Sequence, residues 1–226
     1  MIESYKRIVI VSASPKVDQT WAVSAYLAAR GETLLNEENI SAETIPVRKT
    51  LLHHNCEPAF ASLQRADAIV FIFPLYFFCL PAMLTRFLQD FAAQYPKADH
   101  AASVYAIVNC GFPEPEINEE AMRVIECFSL QTGRTFLGGV MIGCGGMLMG
   151  TAQAPFMRPV FEKIDGLFVR VKQDVLSKET QKSEITIVAP KFPKALYFLA
   201  GNAGWRSMAR KNKLKPRELY QKPYQK

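Results

Sequence analysis

Ala68-Ile-Val-Phe-Ile-Phe-Pro-Leu-Tyr-Phe-Phe-Cys-Leu-Pro-Ala-Met-Leu-Thr-Arg-Phe-Leu-Gln-Asp90 decides the fold. Ala68 to Phe73 is apolar at every position, the pattern of a strand buried on both faces of a parallel sheet. Pro74 has no N–H to give to a central ladder, so the chain leaves the sheet there. Pro81 suits the start of a helix, and Leu84, Leu88 and Phe91 then fall on one side. In an open α/β sheet, the loop beyond a strand's carboxyl end is where ligands bind. This loop offers Tyr76, Phe77 and Phe78, so a flat aromatic ligand is expected.

The chain carries no charge from Ala68 to Thr85, enough length to suggest a membrane span. Two prolines interrupt that stretch, and β-branched and aromatic residues precede the first of them. Both features favour strand, loop and helix over one continuous helix.

Outward from this stretch, strands and helices alternate. Arg7 to Val11 reads as a buried strand leading into Ser12-Ala-Ser-Pro-Lys16, with Thr20 as the candidate cap of the next helix. Ala42 to Val47 is more polar and contains Pro46, which suits an edge strand. Pro58 to Ala66 is expected as a short helix. Ser103 to Val108 is a fourth strand, Pro115 to Thr132 a helix stopped at Gly133, and Phe136 to Ile142 a fifth strand. Strands separated by helices imply a parallel sheet with helices on both faces. Five strands with a polar one at the edge fit a flavodoxin-like α/β three-layer sandwich, order 2-1-3-4-5.

Beyond Gly150 the alternation is expected to stop. Phe156, Val160, Ile164, Leu167 and Val171 form a helical stripe, Gln173 to Glu184 is polar, and Phe192 to Lys211 mixes apolar and basic residues. Two regions are therefore expected: a sheet domain over 1–150 and a helical C-terminal extension over 151–226.

The 226 residues are 49% apolar and 21% charged, ordinary for a globular protein. The N-terminus has no signal-peptide pattern, and a cytoplasmic location is expected. The net charge of +6 is uneven: Trp205 to Lys226 carries +7 and the remainder −1. A basic tail suits an anionic surface, a partner subunit or a solvated end. Cys56, Cys79, Cys110, Cys127 and Cys144 show no zinc or iron–sulfur spacing, so free thiols are expected. Adjacent His53 and His54 point apart on any regular element, which disfavours a shared metal.

Three loops gather at one sheet edge. The first, Ser12 to Thr20, offers the hydroxyls of Ser12, Ser14 and Thr20 and the charge of Lys16 before a helix start. Hydroxyls and helix N–H groups suit a phosphate, although serine and threonine are also ordinary caps. The second, Pro74 to Leu80, has Pro74, Leu75, Tyr76, Phe77 and Phe78 and backbone N–H groups for a ring edge. The third is Asn109, Cys110, Gly111 and Phe112, where the glycine allows close approach. Gly143-Cys-Gly-Gly146 lacks dinucleotide-fingerprint spacing and reads as a flexible turn.

Ser12-Ala-Ser-Pro-Lys…Thr20, Pro74-Leu-Tyr…Pro81-Ala-Met-Leu…Arg86-Phe-Leu-Gln-Asp90 and Asn109-Cys-Gly-Phe-Pro-Glu114 together resemble the flavodoxin-like NAD(P)H-dependent flavin mononucleotide (FMN) reductases. The resemblance covers roughly residues 5 to 150. The first loop departs from the family pattern: it is about one residue shorter and lacks the Gly/Asn-rich middle. The resemblance implies FMN, with phosphate at Ser12, Ser14, Lys16 and Thr20 and the isoalloxazine against Pro74 to Phe78 and Asn109 to Phe112. It implies NADH or NADPH as donor and a small-molecule acceptor, such as a quinone or free flavin. The flavin would carry the chemistry, so no catalytic side chain and no metal are expected. An electron carrier of flavodoxin type and a flavin-free binding protein are the alternatives. A homodimer is expected, with the tail helping to cover the interface or the pocket. Packing of the tail on its own subunit, or on a membrane surface, are the other possibilities for it, and no nucleic acid is expected.

Overall fold

The computed structural model describes residues 5–17, 19–99, 102–177, 183–222 and 224. Asp18 of the first loop, residues 178–182 of the polar segment and the last two residues of the tail lie outside them. The chain divides into two compact units, Met1–Pro190 and Lys191–Lys226.

The first unit is built on β1 (Lys6–Ser12), β2 (Ile40–Pro46), β3 (Ala68–Pro74), β4 (Ser103–Asn109), β5 (Thr135–Ile142) and β6 (Glu184–Val188). They form one parallel sheet, order β2-β1-β3-β4-β5-β6. The expected order 2-1-3-4-5 is present, but the sheet has six strands, not five. The stripe after Gly150 is α6 (Arg158–Leu176), which leads to β6 instead of ending the alternation. Met1–Pro190 therefore runs past Gly150 as one unit.

Strand side chains alternate between two cores. Ile8, Ile10, Val70, Ile72, Tyr105 and Ile107 pack with Leu27 and Leu35 of α1 (Val23–Leu35) and with Ile164, Phe168 and Val171 of α6. Val9, Val11, Phe71, Phe73, Val104 and Val108 face the other way. They meet Phe60 of α3 (Glu57–Gln64), Phe87 and Phe91 of α4 (Ala82–Gln94), and Ile125 and Phe128 of α5 (Glu119–Gln131). A six-residue helix, α2 (Val47–Leu52), follows Pro46 and was not foreseen. The central strands are apolar throughout because both of their faces are covered. Tyr105 is the polar exception, and its hydroxyl donates to Asp174 Oδ2 of α6 at 2.5 Å.

β5 carries two close approaches. A Cβ at Gly139 would lie 1.8 Å from Ala106 O of β4. One at Gly138 would lie 1.8 Å from Glu184 O of β6, and Gly138 has φ +97°. The register of β4 and β5 also shifts between Val104 and Ala106. These glycines let a strand with an irregular register keep neighbours on both sides.

Candidate flavin site

The chain runs from β1 to β2 on one side and returns to β3 on the other, so the β1/β3 edge is the switch point of the sheet. In open α/β sheets ligands bind at such a point, beyond the carboxyl ends of the strands.

β1 ends at Ser12, and Ala13 N–H donates to Ile72 O at 3.0 Å, which keeps the departing chain beside β3. Ser12 and Ser14 are buried. Ser14 Oγ accepts the N–H of Lys16 at 3.2 Å, and Lys16 Nζ donates to Trp21 O at 2.7 Å. Thr20 is not the cap of α1. It lies in a 3-10 turn, Gln19–Trp21, and the helix begins after Ala22, whose side chain has no oxygen to offer. The residue at the cap position thus makes no side-chain bond to the first N–H groups of α1. Ser12 Oγ and, in the first turn of α1, Ser24 Oγ are buried without a hydrogen-bond partner among the described residues, as is Thr44 Oγ1 of β2. A buried hydroxyl with no partner costs about 1–3 kcal/mol. A ligand rich in oxygen would satisfy both serine hydroxyls and the helix end together. Ser24 was not foreseen; the signal for it is a hydroxyl within the first turn of the helix that follows the loop.

The loop after β3 is a two-residue reverse turn. Tyr76 N–H donates to Cys79 O and Cys79 N–H to Tyr76 O, both at 2.9 Å. Phe77 and Phe78 between them have φ 48° and 60°. Such turns require φ > 0 at both central residues and favour Asn-Gly, because a Cβ is strained there. Phe77 is 98% exposed, so its own burial does not offset the strain. Phe78 stacks on Phe112 of the third loop, ring centroids 6.4 Å apart and planes 18° apart. Leu75 and Tyr76 spend their N–H groups on Asn109 O and Cys79 O. From Leu75 to Cys79 the N–H groups left for a ring edge are those of Phe77 and Phe78.

Changing Phe77 and Phe78 to Asn and Gly is expected to stabilise the folded protein by about 2 kcal/mol. Urea unfolding measures it. A loss of stability would mean that the two rings hold the loop instead of straining it.

Asn109 is buried at the end of β4 and donates through Nδ2 to Phe73 O at 3.2 Å. It braces β4 against β3, and its Oδ1 would lie 2.6 Å from a Cβ at Gly145. Cys110 is also buried. Its Sγ lies 3.5 Å from Phe112 O and Ile142 O, and burial pushes its thiol above the ordinary range. Cys110 is thus a neutral packing residue, not a nucleophile. Gly111 faces open space, since a Cβ there meets no atom within 4 Å. The turn after β5, expected as flexible, is tied down: Gly145 N–H donates to Cys110 O at 2.6 Å and Cys144 N–H to Phe112 O at 2.7 Å.

Ser12 and Ser14, the Pro74–Phe78 turn and the Asn109–Phe112 loop thus follow adjacent strands β1, β3 and β4. Tyr76, Phe77, Phe78 and Phe112 are exposed, and so is Trp21 beside the first loop. The edge is an open aromatic rim. Two open concavities of this unit lie against helices, one of about 450 Å³ around Arg30, Phe161 and Asp165 and one of about 490 Å³ between α4 and α5. In the first, both oxygens of Asp165 already hold Arg30, at 2.5 and 2.6 Å.

Switch point, strand order and loop placement agree. The chain has the flavodoxin-like fold, with one added strand. Solved structures support the same statement. An NADH:FMN oxidoreductase (EMOB, apo form) aligns with TM-score 0.58 at 18% identity, over 80% of this chain and 95% of its own. An oxidoreductase from Corynebacterium diphtheriae aligns with TM-score 0.55 at 11% identity, over 77% and 98%. The general stress protein 14 of Treponema denticola, solved in complex with FMN, aligns with TM-score 0.52 at 13% identity, over 75% and 99%. At these identities the likeness establishes the flavodoxin-like fold alone. No protein-family model and no curated protein matches the chain.

Proposed function

We propose that the protein is an FMN-dependent oxidoreductase that takes electrons from NADH or NADPH and passes them to a small-molecule acceptor. One observation carries the reading: two buried, unpartnered hydroxyls, Ser12 and Ser24, at the end of β1 and in the first turn of α1, a helix whose cap residue is an alanine. A phosphate monoester fits that chemistry, because it is a dianion that accepts several hydrogen bonds.

In this reading Ser12, Ser14, Thr20 and Ser24 donate to phosphate oxygens together with the first N–H groups of α1. Lys16 adds positive charge while it keeps the loop closed on Trp21 O. The turn at Tyr76–Cys79 and the loop at Asn109–Phe112 flank the ring system. Bound flavin supplies two-electron transfer between a reduced nicotinamide and an acceptor. The side chains bind and orient, and Phe77, Phe78 and Phe112 shield the reacting edge from water.

The test is purification followed by extraction of the cofactor. A yellow protein that releases FMN, and that oxidises NADH or NADPH when loaded, is the expected result. A yellow protein inert to both nucleotides would be an electron carrier. A colourless chain that does not take up added FMN would end the proposal.

A further inference from the structure

α7 (Lys194–Lys211) belongs to the C-terminal unit and runs for 18 residues. Leu196, Phe198, Leu199, Trp205 and Met208 on it are exposed, Trp205 at 62%. Phe198 and Trp205 are two turns apart, with Met208 one turn further, so they line one side of the helix. Within its own unit this strip stays exposed, and an exposed apolar strip marks a contact.

Its carboxyl end is charged. Arg206, Arg210 and Lys211 are exposed. The chain turns at Lys213, φ 60°, where the N–H groups of Lys213 and Leu214 bond back to Arg210 O and Ala209 O. Lys215 and Arg217 follow on the 3-10 turn Pro216–Tyr220. Lys191 to Lys226 holds ten basic residues against Glu218, a net charge of +9, and the rest of the chain carries −3.

We infer that this unit docks on an anionic lipid surface. α7 lies flat, with Phe198, Trp205 and Met208 in the outer acyl layer and its basic end among the headgroups. No described helix is long and apolar enough to cross a membrane, so α7 rests on the surface. A nucleic acid would use the charge but leave the strip of Phe198, Trp205 and Met208 without a purpose. The tail of a second copy carries the same positive charge and repels this one. The inference does not depend on the flavin reading.

The full-length protein is sedimented with vesicles of phosphatidylcholine alone and of phosphatidylcholine mixed with phosphatidylglycerol. Binding to the mixed vesicles is expected to be at least about tenfold tighter and to fall with added salt. The triple variant Arg206→Gln, Arg210→Gln, Lys211→Gln, which changes exposed side chains only, should weaken it about 100-fold. Phe198→Ser with Trp205→Ser should weaken binding to both vesicle types at least about tenfold while the preference for the mixed ones remains, since the charge is unchanged. Equal binding to both vesicle types, or undiminished binding by both variants, would overturn the inference. So would a dimer that the Phe198→Ser, Trp205→Ser variant splits, or capture of duplex DNA, by a chain that ignores vesicles. Flavin absorbance in the same samples reports separately: a colourless protein that binds anionic vesicles defeats the proposed function and keeps this inference.

Discussion

Ser12→Ala combined with Ser24→Ala is expected to weaken FMN binding by about 4 kcal/mol, roughly a thousandfold, because each change removes a donor to a charged group. Riboflavin, which lacks the phosphate, should bind the variant and the parent alike. The stability of the flavin-free protein should move the other way. Both hydroxyls are buried and unpartnered among the described residues, so their removal is expected to stabilise that form by about 1 kcal/mol or more. Fluorescence titration with the two flavins and urea unfolding without them give the three numbers. Equal losses for both flavins would move the phosphate elsewhere, and a destabilised flavin-free protein would mean that the hydroxyls serve the fold.

Gly139→Ala is expected to cost on the order of 3–5 kcal/mol, a large part of the stability of an ordinary domain. Its Cβ would have to sit 1.8 Å from a backbone oxygen of β4, where no flexible side chain can yield. Gly138→Ala meets β6 just as closely and adds the cost of a left-handed backbone, so a similar loss is expected. The midpoint of thermal unfolding, with β-sheet content followed by circular dichroism, measures both. A near-parental midpoint for Gly139→Ala would show that β4 and β5 can separate without loss, contrary to a continuous six-stranded sheet.

The central strands were legible because burial on both faces leaves no room for polar residues in runs such as Ile8 to Val11 and Ala68 to Phe73. The two prolines at 74 and 81 marked the loop between β3 and α4. β6 was not legible. It has five residues, Thr186 interrupts its isoleucines, and an edge strand needs less apolar surface. The glycines of β5 could be read as small residues, but not the backbones that press on them, because Ala106 and Glu184 are distant in sequence. In the candidate site, the order of the loops and the buried Ser12 and Ser14 were within reach of sequence reasoning. Thr20 misled, since a hydroxyl before a helix usually caps it and here a 3-10 turn intervenes. The turn at Phe77 and Phe78 ran against every local preference. Bulky aromatic residues avoid positive φ, so only the surrounding loops could impose it.

The order β2-β1-β3-β4-β5-β6 has a consequence for how the molecule is made. After β2, each strand leaving the ribosome pairs with an edge already in place: β3 with β1, β4 with β3, β5 with β4 and β6 with β5. No strand waits for a later one to be inserted between it and its neighbour, apart from the growing edge itself. Loop-closure costs stay near those of single crossovers, which favours prompt folding and shortens the time an unpaired apolar edge is open to other chains. β6 is the last of the strands and closes that edge with a short, half-polar one, so the sheet is completed with a weakly adhesive margin outermost.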